Sequence, residues 1–173
     1  MALAINSLTN ATVFIDGTGL LGRCDEFTLP KPTMKYAEYK PLGLIGSTEL
    51  PTGFDKMEAT IKWNSFYKDV LRRMGDHYQS YLLLVRASLE EYTGGSRTGQ
   101  AAVEVYMRVQ AKDLNLGVFT QHERVMPETT FNVTYLKIVI GGEEIYELDL
   151  LNNVYKVDGS DRAAAYRRNL GIN

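Results

Sequence analysis

Two arms of alternating hydrophobic and polar positions stand out at residues 129–157, TTFNVTYLKIVIGGEEIYELDLLNNVYKV. Phe131, Val133, Tyr135, Lys137 and Val139 fall on one side of the first arm; Asn132, Thr134, Leu136, Ile138 and Ile140 fall on the other. A period of two is the signature of a strand. Gly141 and Gly142 suit a two-residue primed turn, whose positive φ angles glycine meets without steric cost. On the return arm Ile145, Glu147 and Asp149 oppose Tyr146, Leu148 and Leu150, so the pattern predicts a hairpin.

The same pattern recurs upstream. Residues 11–15 read as a strand, 16–19 as a turn, and 20–29 as an extended return that Pro30 and Pro32 stop. Residues 33–40 are again extended, and 42–54 read as a long loop or irregular hairpin. From 56 to 64, Met57, Ala59, Ile61 and Trp63 face inward. Ser65 is placed to cap a helix over 66–74, with Tyr67, Val70, Leu71 and Met74 as its apolar stripe and Gly75 at its end. Residues 81–91 and 101–112 are two long strands joined by a flexible tip, GGSRTG at 94–99. Twelve strand residues span about 40 Å, so a hairpin of that length needs a neighbour. Residues 114–124 carry only a weak pattern. A last helix is expected behind Ser160, with Asp161 in its first turn, Ala163, Tyr166 and Leu170 on one face, and Gly171 as its stop.

These elements predict a mainly β chain with some α: an antiparallel β-sandwich or barrel, a central helix and a short C-terminal helix, in one domain over 1–173. Long antiparallel strands leave edges that must be closed, covered or paired, so self-assembly is expected.

Composition narrows the function. Net charge is −2, which leaves no basic footprint for nucleic acid. The opening segment, MALAINSLTN, carries no basic leader, and no apolar run reaches the roughly 20 residues of a membrane helix. Synthesis in the cytoplasm without membrane insertion is therefore expected. Cys24, the single cysteine, forms no internal disulfide and makes no zinc site alone.

Candidate chemistry is sparse. His77 and His122 fit no metal-ligand spacing, and no GxSxG elbow supports a triad. Glu147 and Asp149 share a strand face, but a divalent cation needs six or more oxygens and a polar strand face explains them better. Gly17, Gly19 and Gly22 match GxGxxG, yet the turn leads into another strand rather than a helix. The pairs Arg72–Arg73 and Arg167–Arg168 read as solvated helix faces. No catalytic residue, cofactor or metal is expected, and an enzyme is not the reading.

Several segments carry a family likeness. They are LTNATVFIDG at 8–17, FTLPKPTMKYAEYK at 27–40, FDKMEA at 54–59, YLKIVIGGEEIYELDLLNNVYKVDGSD at 135–161 and RRNLG at 167–171. Their order and spacing resemble the major tail tube protein of contractile-tailed phages and its R-type pyocin tube relatives. Residues 79–126 match least.

The resemblance implies hexameric rings that share a continuous inner β-barrel and stack into a hollow tube. It implies a contractile sheath that drives the tube through the host envelope, and a tube that conducts DNA. It also implies a virion protein made in the host cytoplasm. Its partners would be itself, the sheath, the baseplate and the tail terminator, with DNA only in transit. A pyocin-like injection particle that carries no genome is the alternative.

Two sets of residues follow as expectations. Arg86, Ser88, Glu90, Glu104, Arg108 and Gln110 form the polar face of the long hairpin and are candidates to line the channel. The segment 41–55, PLGLIGSTELPTGFD, is too long for an ordinary connection, and its apolar residues exceed what a solvated loop needs. Leu42, Leu44, Ile45, Glu49, Leu50 and Phe54 are therefore candidates for contacts between subunits or rings. The segment is expected to order in the assembly.

Overall fold

The computed structural model describes residues 3–172. In chain order its strands are β1 (Ala4–Ile15), β2 (Thr18–Gly19), β3 (Cys24–Thr28), β4 (Met34–Tyr39), β5 (Thr48–Phe54) and β6 (Met57–Trp63). Helix α1 (Lys68–Met74) follows, then β7 (Ser80–Thr93), β8 (Ser96–Asn115), β9 (Glu128–Ile140), β10 (Glu143–Asp149), β11 (Val154–Val157), β12 (Ser160–Asp161) and helix α2 (Ala164–Asn169). All strand pairs are antiparallel, in a ten-stranded sheet and a separate β4–β5 hairpin.

Six strands, β3-β6-β9-β8-β7-β1, surround one apolar core as an open barrel, with no strand pairing between β1 and β3 among the described residues. β1 and β3 face each other across a cleft lined by Val13 and Phe27. β6 shows why alternation predicts burial: Met57, Ala59, Ile61 and Trp63 are buried, and the residues between them are half-exposed. Val103, Val105, Met107, Val109 and Ala111 face the same core from β8, while α1 adds Val70 and Met74. The sheet continues beyond the barrel through β10, β11 and β12.

β9 joins the two parts. Its first half pairs with β6 as far as Val133, and its second half pairs with β10 from Tyr135 onward. Val133 opposes Val109 and Tyr135 opposes Arg108 on β8, which leaves Thr134 as an extra, bulged residue. Its carbonyl accepts the Leu150 amide at 3.0 Å. This bulge corrects the uniform alternation expected for the strand. Phe131 and Val133 face the core together with Leu136 and Ile138, and Tyr135, Lys137 and Val139 turn to the wet face.

Other boundaries also differ from expectation. Ser65 does not cap α1; Tyr67 holds the N-cap position with extended backbone and no side-chain cap bond. Asn64 fixes this corner, because its amide donates to the Gly22 carbonyl at 2.6 Å and its carbonyl accepts the Tyr67 hydroxyl at 2.6 Å. Ser160 and Asp161 are not in a helix either, since they pair with β11. Asp161 still accepts the Ala163 amide at 2.9 Å just ahead of α2. The flexible tip shrinks to Gly94 and Gly95, whose φ angles of 62° and 84° make a tight turn, while 96–99 already belong to β8. β1 begins at Ala4, well before the expected strand, because its first residues pair with the far end of β7.

Candidate functional site

The wet face of the sheet is a field of ion pairs running across strands. The six predicted channel residues share it. Arg86 opposes Glu104, Ser88 opposes Ala102 and Glu90 opposes Gln100, while Arg108 and Gln110 follow in phase opposite Leu82 and Ser80. Arg86 is ion-paired with Glu104, and the Tyr106 hydroxyl donates to the same carboxylate at 2.8 Å. Glu90 accepts from the Tyr92 hydroxyl at 2.6 Å and pairs with Arg97 at 3.3 Å. The Gln110 amide donates to the His77 carbonyl at 2.6 Å.

The bulge extends this face onto residues absent from the predicted set. Lys137 reaches Glu144 at 2.5 Å, and Lys156 reaches Glu147 at 2.6 Å and Glu144 at 3.8 Å. The Tyr135 hydroxyl donates to Glu147 at 2.9 Å, and further along Arg167 pairs with Asp161 at 2.6 Å. The sequence signal was the alternation of β9 read in the phase that follows Thr134.

These contacts set the local charge states. Burial works to raise the Glu147 pKa, but hydrogen bonds from Lys156 and Tyr135 outweigh it and hold the carboxyl below its ordinary value. Glu147 in turn raises Lys156, and the Arg167 hydrogen bond lowers Asp161. A carboxylate with a lowered folded-state pKa stabilises the fold above its unfolded pKa, and that stability is lost as pH falls through the folded value. The melting temperature should therefore stay level down to about pH 5 and fall below about pH 4. Glu147→Gln should flatten that acid limb in melts across pH, and an unchanged limb would remove the β9–β10–β11 cluster as its source.

The remaining candidates are committed to structure. Asp149 accepts the Leu151 and Asn152 amides at 3.0 Å and 2.9 Å in a turn. The His77 ring lies 2.9 Å from the Ala111 carbonyl, and His122 sits exposed in the β8–β9 connection. Burial, with Asp25 beside it, pushes the Cys24 thiol up to about 11, which keeps it un-ionised at neutral pH. Gly17, Gly19 and Gly22 lie in and after the β1–β2 turn and lead to β3. Among the described residues no group of three or more His, Cys, Asp or Glu is placed to hold a metal ion. No helix is long and apolar enough to cross a membrane.

The predicted contact residues lie on a projecting arm. Residues 48–54 form β5 and pair with β4 from Met34↔Phe54 to Tyr39↔Thr48, so only 40–47 remain outside regular pairing. Leu42 and Ile45 at the tip are fully exposed, and Leu44, Glu49 and Leu50 are exposed as well. Phe54 differs, because it turns inward and packs edge-on against Tyr155 with ring centroids 5.0 Å apart. Together these features define a structural assembly subunit: a β framework with a two-signed polar face and uncovered apolar projections.

The chain belongs to the family described as phage tail tube protein FII, whose model matches residues 5–171. It is 30% identical over 167 residues to the tail tube protein of Escherichia phage P2, covering 92% of this chain and 94% of that one. It is 28% identical over 152 residues to the major tail tube protein of Serratia phage KSP20, covering 87% and 86% respectively. Its fold is shared with two cryo-EM structures of an extracellular contractile injection system called PVC. In the sheath/tube terminator the TM-score is 0.56 at 10% identity, covering 75% of this chain and 91% of the other. In the sheath-tube complex it is 0.55 at 9% identity, covering 75% and 86%. The chain is thus a structural tail tube protein and a virion component, not an enzyme.

Proposed function

We propose that copies of this chain close into hexameric rings that stack into the hollow inner tube of a contractile phage tail. The polar face of β7, β8 and the second half of β9 lines the channel, together with β10 and β11. The observation that carries this reading is that face itself, which is wet, carries both signs of charge and is backed by the core. The sheet also has open edges: on one side β1, which the two-residue β2 covers only at Phe14 and Ile15, and on the other the two-residue β12. A heterologous contact between unlike edges closes a ring when the rotation is right. Paired charges on the wall suit a conduit, because affinity for DNA grows with unpaired cations that neutralise phosphates.

A sheath surrounds the tube, and baseplate and terminator proteins hold its ends. The resemblance to sheath-tube and terminator subunits supports these partners. Purified chain should form rings or tubes in negative stain above a threshold concentration. A monomer at every concentration tested would overturn the assembly reading.

The wall assignment has its own test. Glu104→Lys sets a cation beside Arg86 at a half-buried position and removes the acceptor of the Tyr106 hydroxyl, so it should cost about 1–3 kcal/mol. Rings should still form, and DNA passage should change more than assembly. Blocked assembly with normal transport through the tubes that do form would reject the face.

A further inference from the structure

The β4–β5 arm has an apolar knob at one end and an apolar hole at the other. The knob is the tip, where Leu42 and Ile45 are 105% and 111% exposed. The hole is a groove of about 630 Å³ where the arm's base meets the main sheet. Leu136 and Ile138 form its floor, Tyr155 a wall, and Met34 and Phe54 the underside of the arm. Its volume lies within the range of about 300–1,000 Å³ that accepts a compact apolar body.

We propose that the arm tip of one copy plugs the groove at the base of the arm in the next copy. This rests on the reading of the arm as an assembly element and names the surface that receives it.

Charge complementarity selects this occupant. Glu49 lies near the tip opposite Glu38, whose own carboxylate is bonded to Lys40 at 2.7 Å. At the other end Lys31 sits between Pro30 and Pro32, both of which line the groove. Neither Glu49 nor Lys31 makes an ion pair among the described residues.

They do not meet within one copy. The four steps from Met34 to Glu38 span about 13 Å at strand rise, and Lys31 lies beyond Met34. With the tip of one copy seated in the groove of another, Glu49 arrives at the rim beside Lys31.

The arm is also too stiff to fill its own groove. Its strands pair along their length, the Asp55 amide donates to the Thr33 carbonyl at 2.8 Å, and Lys35 holds Asp55 at 2.9 Å. The groove reaches up the arm as far as the Tyr36–Pro51 pair, so tip and groove stay roughly 10 Å apart, the rise of the three strand residues between them. Unlike surfaces at opposite ends of one rigid element make a heterologous, head-to-tail contact, which propagates along an axis wherever its rotation does not close a ring. That is the contact needed along a stack.

The test uses full-length chain with Cys24→Ser to remove the native thiol. Copies carrying Leu44→Cys are mixed with copies carrying Met34→Cys under assembly conditions and oxidised. A disulfide between copies is expected in the assembled pool and not in the monomer pool. Pro32→Cys at the rim replaces Met34→Cys if circular dichroism shows that variant unfolded.

In parallel, Lys31→Glu and Glu49→Lys should each raise the assembly threshold about tenfold or more, and the double variant should return it to within about twofold of wild type. If Leu44→Ser with Ile45→Ser assembles normally, the arm is not an assembly element. If that variant fails to assemble, yet no disulfide forms and the double swap rescues nothing, the groove is the wrong receiver and the arm reading survives.

Discussion

Trp63→Ala should lower the stability of the isolated subunit by about 3–5 kcal/mol, seen as a large drop in the urea midpoint. The indole is 2% exposed and ends the buried row of β6. It shares one buried core with Val70 and Met74 of α1. Its Nε1–H donates to the hydroxyl of Thr129 at 2.9 Å, and Thr129 is itself fully buried. Truncation therefore leaves a cavity and orphans a buried hydroxyl at once. Thr129→Val separates these effects: it keeps the volume, strands the indole N–H, and should cost about 1–3 kcal/mol. A wild-type midpoint for Trp63→Ala would refute the burial of the indole.

Leu44→Ser combined with Ile45→Ser should have the opposite profile. Both residues are exposed in the subunit, so its unfolding should move by no more than about 0.5 kcal/mol. Assembly should nevertheless fail at concentrations where wild type polymerises, because burial of about 1.5–3 kcal/mol per aliphatic side chain is lost at every repeat. Hydrogen exchange gives an independent reading. Strand pairing gives the amides of 48–54 a local route to protection, so the gain on assembly should concentrate at residues 40–47. Polymerisation of the double serine variant at wild-type concentration would end the assembly role of the tip, as would equal exchange at 40–47 in subunit and tube.

Much of the fold was legible in the chain where one force decided it. The buried row of β6 and the core row of β8 follow from alternation alone, because one face is dry and the other wet. The turn at Gly141–Gly142 follows from positive φ angles of 59° and 87°. Legibility failed where distant partners decided. Ala4 to Leu8 carry a mixed sequence and form a strand because the end of β7 gives them hydrogen bonds. The start of α1 moved because Asn64 and Tyr67 satisfy the corner better than a serine cap.

The shared polar face was legible on β7 and β8, whose registers run regularly from Tyr81↔Val109 to Glu91↔Gly99. It was missed on β9 and β10 because one extra residue inverts the phase. The arm was recognised by its length and apolar content. Its strand character was hidden by Pro51 and Gly53, which a two-stranded edge tolerates and a central strand does not.

The bulge at Thr134 sits where β9 exchanges one neighbour for another, from β6 in the barrel to β10 in the extension. One strand thus serves two surroundings with opposite reading frames, and Thr134 is the spacer between them. Deleting it would act like a frameshift in space. With the barrel half held in place, Lys137 would be driven toward the apolar core while Leu136 and Ile138 turned to water. Changes in the polar face beyond this residue can then be made without rewriting the core before it, provided the spacer keeps its length.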